Sequence, residues 1–234
     1  MEHNPIIVAL DVSSRDEALK LAESLSGTVG AVKIGKELFV TAGPDIVRDI
    51  RALGASVFLD LKFHDIPNTV AKAVAAATRL DVQMMTIHTS GAGAMMAAAE
   101  KSAQETATEC GAEAPLVLGV TVLTSMDAED LTQIGIDTPP ADQVARLAEL
   151  AAASGLRGLV CSPLEIERLR NTLPDYVQLV TPGIRPADAQ QGDQKRVMTP
   201  KDAMTAGASW LVVGRPITQA SDPRAAAEKI LDSL

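Results

Sequence analysis

Residues 56–78, SVFLDLKFHDIPNTVAKAVAAAT, place an ammonium and two carboxylates in the pattern Asp60-x-Lys62-x-x-Asp65. Charges at the end of an apolar run are costly to desolvate unless they pair. An ammonium between carboxylates holds its proton, because opposite charges nearby favour the charged form. Such a group is set up to stabilise negative charge on a substrate and then to give up that proton. The pattern points to chemistry.

The elements around this cluster can be read from periodicity. Val57, Leu59 and Leu61 fall on one side of an extended segment, while Phe58, Asp60 and Lys62 fall on the other. Pro67 then stands at a first-turn position ahead of an alanine-rich helix. Similar units run along the chain. Residues 5–11 end in Asp11 and lead to a helix capped by Ser13 or Ser14 and closed by Gly27. Residues 29–35 contain Lys33, and a helix starts near Pro44. Residues 84–89 pass His88 into a small-residue helix, and residues 116–123 end before Thr124 and Ser125. Residues 158–161, 177–181 and 210–213 complete the set, the last two running into Gly183-Ile184-Arg185 and Gly214-Arg215-Pro216. A helix closes the chain over residues 225–231.

Eight apolar runs alternating with helical segments predict an α/β fold, a (β/α)8 TIM barrel that takes residues 1–234 as a single domain. No G-x-G-x-x-G follows the first run, which argues against an open dinucleotide-binding sheet. Residues 127–137 leave loop and short helix unresolved, and residues 190–195, QQGDQK, read as a polar mobile loop.

Composition bounds the function. Hydrophobic residues make up 47% of the chain and aromatic residues 2%, so the core is aliphatic. A net charge of −9 disfavours a general nucleic-acid surface and anionic membranes, yet leaves room for a phosphorylated ligand in a locally basic pocket. Cys110 and Cys161 lie far apart without metal-ligand spacing, which fits a reducing cytoplasm. Neither a signal peptide nor a membrane-spanning run is evident, and a soluble cytoplasmic protein is expected.

In such a barrel the active face is built at the C-terminal ends of the strands. Asp11, Lys33, Asp60, Lys62, Asp65, His88, Thr124, Arg185 and Arg215 all fall at or just past those ends. Singly, each has a structural alternative: Asp11 or Asp65 as a helix cap, Lys33 as the partner of a neighbour. Gly183 and Gly214 allow close backbone approach, and Arg185 and Arg215 carry planar forks suited to phosphate on the two loops where barrels bind it. His64 and His88 read as hydrogen-bonded shell residues rather than metal ligands, since no H-x-x-H pattern exists. Cys161, the methionines and Trp210 read as packing.

These segments resemble the orotidine 5′-phosphate decarboxylase family. The resemblance rests on ALDV (9–12), VKIGKELF (32–39), FLDLKFHDIPNTV (58–70), TIHTSGAG (86–93), VTVLTSM (120–126), TPGIRP (181–186), GDQKRVMTP (192–200) and VVGRPIT (212–218). It implies a homodimeric barrel that converts orotidine 5′-phosphate to uridine 5′-phosphate and carbon dioxide without metal or organic cofactor. Lys33, Asp60, Lys62 and Asp65 would form an alternating charged array, with Asp65 supplied across the dimer interface and Lys62 as proton donor. Asp11 and Lys33 would hold ribose hydroxyls, and Thr69 would reach the partner's site. Thr124 would contact the pyrimidine, while Arg185, Gln194, Gly214 and Arg215 would bind phosphate. Two rivals remain: a magnesium-dependent sugar-phosphate decarboxylase or aldolase of the same barrel superfamily, and a catalytically silent nucleotide-binding barrel.

Overall fold

The computed structural model describes residues 4–186 and 197–234. Eight parallel strands close into a barrel in sequence order. They are β1 (Ile6–Ala9), β2 (Ala31–Gly35), β3 (Val57–Phe63), β4 (Met84–His88), β5 (Leu116–Val120), β6 (Gly158–Val160), β7 (Gln178–Thr181) and β8 (Trp210–Val213). The helices are α1 (Arg15–Leu25), α2 (Lys36–Ala42), α3 (Asp45–Ala52), α4 (Pro67–Thr78), α5 (Ala92–Cys110), α6 (Ala128–Gln133), α7 (Pro140–Ala153), α8 (Ile166–Thr172), α9 (Pro200–Thr205), α10 (Arg215–Thr218) and α11 (Pro223–Leu231). Among the described residues, no helix is long and apolar enough to cross a membrane.

Local chemistry sets most helix starts. The Ser14 hydroxyl accepts the Glu17 N–H at 3.3 Å and opens α1. Pro67 begins α4 as expected, where its missing N–H has no helical partner to lose. The ambiguous stretch after β5 resolves into α6 because Asp127 and Asp130 make a reciprocal capping box. The sequence reading overlooked α2, a short helix that follows β2 without a break and carries Val40 and Thr41, both weak helix formers. It stops at Gly43, whose φ of 69° is favourable only for glycine. The strands β1, β2, β4, β5, β6 and β7 are also shorter than the apolar runs that announced them.

Alternation along the strands divides the core in two. Ile6, Val8, Ile34, Val57, Leu59 and Met85 pack outward under the helices. Ile7, Ala9, Ala31, Phe58, Met84, Leu118, Val180 and Val212 form a separate cluster that fills the barrel axis. The same inward period continues toward the C-terminal mouth. Two residues beyond Ala9, Ala31, Phe58 and Met84 lie Asp11, Lys33, Asp60 and Thr86, so the apolar plug gives way directly to polar groups. At the other end the Trp210 indole N–H donates to Gln178 Oε1 at 2.7 Å, and Gly30 passes close against the ring.

Gly30 therefore marks a steric limit. A Cβ there would sit 2.1 Å from the Asn4 carbonyl oxygen and 2.9 Å from the Trp210 ring. The Gly30 N–H is already fixed to the Ile6 carbonyl at 2.9 Å, so the backbone cannot easily retreat. Gly30→Ala should cost about 1–3 kcal/mol of stability through overpacking. Denaturant unfolding should show a lower midpoint with an unchanged slope, and an unshifted midpoint would contradict the tight approach.

Candidate active site

Four of the sequence-flagged charges form one continuous chain across three strands. Lys33 Nζ donates to Asp11 Oδ1 at 3.1 Å and lies 3.7 Å from Asp60 Oδ2. Asp60 Oδ1 in turn accepts from Lys62 Nζ at 2.7 Å. The inner members are largely withdrawn from water, with side-chain exposures of 11% for Lys33 and 15% for Asp60, while Asp11 stands in solvent at the outer end. Burial by itself would raise the Asp60 pKa. The Lys33 and Lys62 ammoniums, with hydrogen bonds from Lys62 and Thr86, outweigh it and hold Asp60 below its ordinary value.

Lys62 reaches this position through an irregular backbone. The β3–β4 register runs from Leu59 opposite Met85 to Phe63 opposite Ile87, so three residues of β3 face Thr86 alone. Within this bulge Lys62 adopts φ 54°, a left-handed conformation that costs a non-glycine residue on the order of 1–3 kcal/mol. The Lys62 N–H donates to Thr86 Oγ1 at 2.9 Å, and the Thr86 hydroxyl donates to Asp60 Oδ1 at 2.9 Å. Thr86 is fully buried and was missed by the sequence reading. The available signal was a hydroxyl on the inward period of MMTIH, two residues past Met84.

Two adjoining cavities open over this array. The larger, about 710 Å³, is lined by Asp11, Lys33, Gly183, Arg185, Gly214 and Arg215 among others. The smaller, about 180 Å³, sets Lys33, Asp60 and Lys62 against an apolar wall that includes Val120, Val122 and Val160, with Thr124 at its rim. Both are bounded by Lys33, Pro182 and Val212. One side of the hollow thus offers two guanidiniums, and the other sets an ammonium beside hydrocarbon. A Cβ on Gly214 would meet nothing nearer than Ala9 at 3.8 Å, so the protein's own packing does not demand glycine there. The space is open toward the cavity.

The structure does not gather every flagged residue. Asp65 and Thr69 are exposed at the start of α4 and line neither cavity. Asp65 Oδ1 accepts the Ile66 N–H at 2.6 Å, and no ion pair to Asp65 occurs among the described residues. Within one chain Asp60 is the carboxylate that pairs with Lys62, and the contribution expected of Asp65 is one made to a second chain. The reason is the bulge and the turn to Pro67, which carry Asp65 out of the barrel mouth. Gln194, with the whole 190–195 stretch expected to be a mobile loop, lies outside the described residues. The His64 and His88 rings lie 5.5 Å apart, tilted by 51°. Burial, then the positive neighbours His64, Lys62 and Lys36, push the His88 pKa down despite Asp60. Among the described residues, no group of three or more His, Cys, Asp or Glu side chains is arranged to hold a metal.

A closed parallel barrel whose ion chain and cavities sit at the C-terminal mouth defines an enzyme of the (β/α)8 class. Residues 4–230 match the orotidine 5′-phosphate decarboxylase / HUMPS family, and the chain belongs to that family. It is 52% identical over 234 residues to the orotidine 5′-phosphate decarboxylase of Shewanella sediminis, covering 100% of this chain and 98% of that protein. It is 54% identical over 229 residues to the enzyme of the same name from Opitutus terrae, covering 98% and 97% of the two chains. The crystal structure of orotidine 5′-phosphate decarboxylase from Lactobacillus acidophilus superposes with a TM-score of 0.87 at 40% identity, covering 98% of each chain.

Cys161 lines the smaller cavity yet is not a nucleophile. Burial, with the Glu165 carboxylate, pushes its thiol up to about 12, and the Thr181 hydroxyl 3.8 Å away only partly opposes this. Cys110 is exposed. A thiol-alkylating reagent at neutral pH should therefore label Cys110 and spare Cys161 until denaturant is added, as read by peptide mass spectrometry. Native labelling of Cys161 would mean that the apolar wall opens readily.

Proposed function

We propose that the protein decarboxylates orotidine 5′-phosphate to uridine 5′-phosphate and carbon dioxide in pyrimidine nucleotide synthesis, with no metal or organic cofactor. The observation that carries this reading is the ion chain that ends on Lys62 beside an apolar wall. Family membership supports it.

In this reading the 5′-phosphate lies against Arg185, Arg215 and the open backbone at Gly214, with Gln194 completing the contact. Asp11 and Lys33 hold ribose hydroxyls, and Thr124 meets the pyrimidine. The ring then presents its carboxylate toward Asp60 and Lys62. When the bond from the ring to the carboxylate breaks, carbon dioxide leaves and the electron pair stays on ring carbon. The Lys62 ammonium stabilises that charge and donates a proton to the same carbon, and solvent returns a proton to the amine. Asp60, held ionised, repels the substrate carboxylate in a way that departure of carbon dioxide relieves. Asp11 and Asp60 each face an ammonium. Phosphate binding energy, remote from the reacting carbon, serves to orient the ring and exclude water.

Asp65 and Thr69 fit this scheme in a homodimer, where each reaches the partner's site. Their exposure supports this, as does Ile66 between them, an apolar side chain that is 66% exposed in the single chain. The exposed free thiol of Cys110 supports a reducing, cytoplasmic setting, and the net charge of −9 disfavours nucleic acid and anionic membranes as partners.

Two experiments test these assignments. Purified protein should bleach the orotate absorbance of orotidine 5′-phosphate equally with and without a chelator, and Lys62→Ala should reduce kcat/KM by about a thousandfold or more. Tight nucleotide binding without turnover would instead favour a silent barrel, and chelator-sensitive turnover of a sugar phosphate would favour the magnesium rival. For the shared site, Lys62→Ala and Asp65→Ala chains should each be weak alone and regain activity when mixed. A mixed dimer has one site free of both changes, so absence of recovery after subunit exchange would place Asp65 in its own chain's site.

A further inference from the structure

We propose that Thr86 is a positioning residue that clamps the reacting ammonium: its one hydroxyl holds the Lys62 backbone in the bulge and the Asp60 carboxylate against Lys62 Nζ. The inference rests on the decarboxylase reading for its kinetic consequence but not for its geometry.

Between the Leu59–Met85 and Phe63–Ile87 pairs, the ladder offers one β4 residue to three of β3. Regular pairing cannot satisfy the extra donors of such a bulge. The Lys62 N–H is one of them, and it donates to Thr86 Oγ1 at 2.9 Å instead of to a ladder carbonyl. A hydroxyl has one donor and accepts as well. Thr86 uses the acceptor on the main chain of Lys62 and the donor on Asp60 Oδ1, at 2.9 Å. That same Oδ1 receives Lys62 Nζ at 2.7 Å, so main chain, carboxylate and ammonium close a ring through a fully buried side chain. On the other side Thr86 keeps ordinary register with Leu118 of β5, which fixes its own position. A purely packing role for Thr86 would be met equally by valine, which has nearly the same shape and cannot make either bond.

Asp60 is faced by Lys33 from β2, by Lys62 from its own strand and by Thr86 from β4, with His88 from β4 also coupled to it. Removing the Thr86 bond leaves the cations in place and takes away one influence that lowers the Asp60 pKa. Its protonation on acidification then begins at higher pH.

The test compares Thr86→Val and Thr86→Ser in the full chain. Thr86→Val should lower kcat for orotidine 5′-phosphate by about 10- to 100-fold, the range for a lost hydrogen bond to charged groups. KM and binding of the product uridine 5′-phosphate should change much less, and the acid limb of the kcat profile should move to higher pH. Thr86→Ser, which keeps the hydroxyl, should recover most of the rate. Amide hydrogen exchange at Lys62 should accelerate in Thr86→Val and stay near wild type in Thr86→Ser. If Thr86→Val does not fold, Thr86→Ala supplies the hydroxyl-free comparison. Full kcat in a folded hydroxyl-free variant, or equal losses in the serine variant, would overturn the proposal. So would unchanged exchange at Lys62, and that readout stands even if the wild-type protein failed to turn over this substrate, which would sink the decarboxylase reading alone.

Discussion

Placing two ammoniums and a carboxylate where water is scarce is the constraint around which the barrel mouth is arranged. Lys33, Asp60 and Lys62 are each costly to bury singly, and the contacts at 3.7 and 2.7 Å offset that cost only while every member stays in place. The fold meets the requirement by rigidity. An aliphatic plug fixes the strands from within, helices fix them from without, and the first inward position above the plug on β2 and β3 is charged. Among the described residues, the irregularity in strand pairing lies under the lysine whose amine ends the chain. Strain at that residue and order around it are parts of one arrangement.

Much of this was legible in the residues. Alternation in VFLDLKF put Asp60 and Lys62 on one face, and they do share it, at 2.7 Å. Runs that meet Asp11, Lys33 and the Gly-Arg turns pointed to the end of the barrel at which the two cavities open. What escaped was whatever depends on register between strands distant in sequence. The bulge that turns Lys62 into a left-handed conformation leaves no mark in a one-dimensional pattern, since lysine is not a residue that announces positive φ. Thr86 escaped for the same reason: threonine in a strand looks like ordinary β-propensity until its hydroxyl is found opposite the bulge. The short helix α2 was lost because its weak helix formers continue an apolar run. Asp65 was legible as part of the motif, and the family resemblance alone implied that it serves a neighbouring chain; its exposure in the single chain is compatible with that.

The contrast between Gly30 and Gly214 separates two uses of the same residue. At Gly30 the absent side chain is required by neighbouring atoms of the protein, whereas at Gly214 the space faces the cavity and no protein atom needs it. Gly214 instead shares the lining of the larger cavity with Arg185 and Arg215. The same logic applies to Cys161, whose thiol is silenced by burial and whose role on the cavity wall is that of a small hydrophobe.

The axis of the barrel is filled with side chains. With Ile7, Phe58, Met84 and Leu118 stacked along it, and Trp210 tied to Gln178 beneath, the interior is a vessel with a floor rather than a tunnel. Everything that enters at the mouth leaves by the mouth. Among the described residues, the way in and the way out are therefore the same opening.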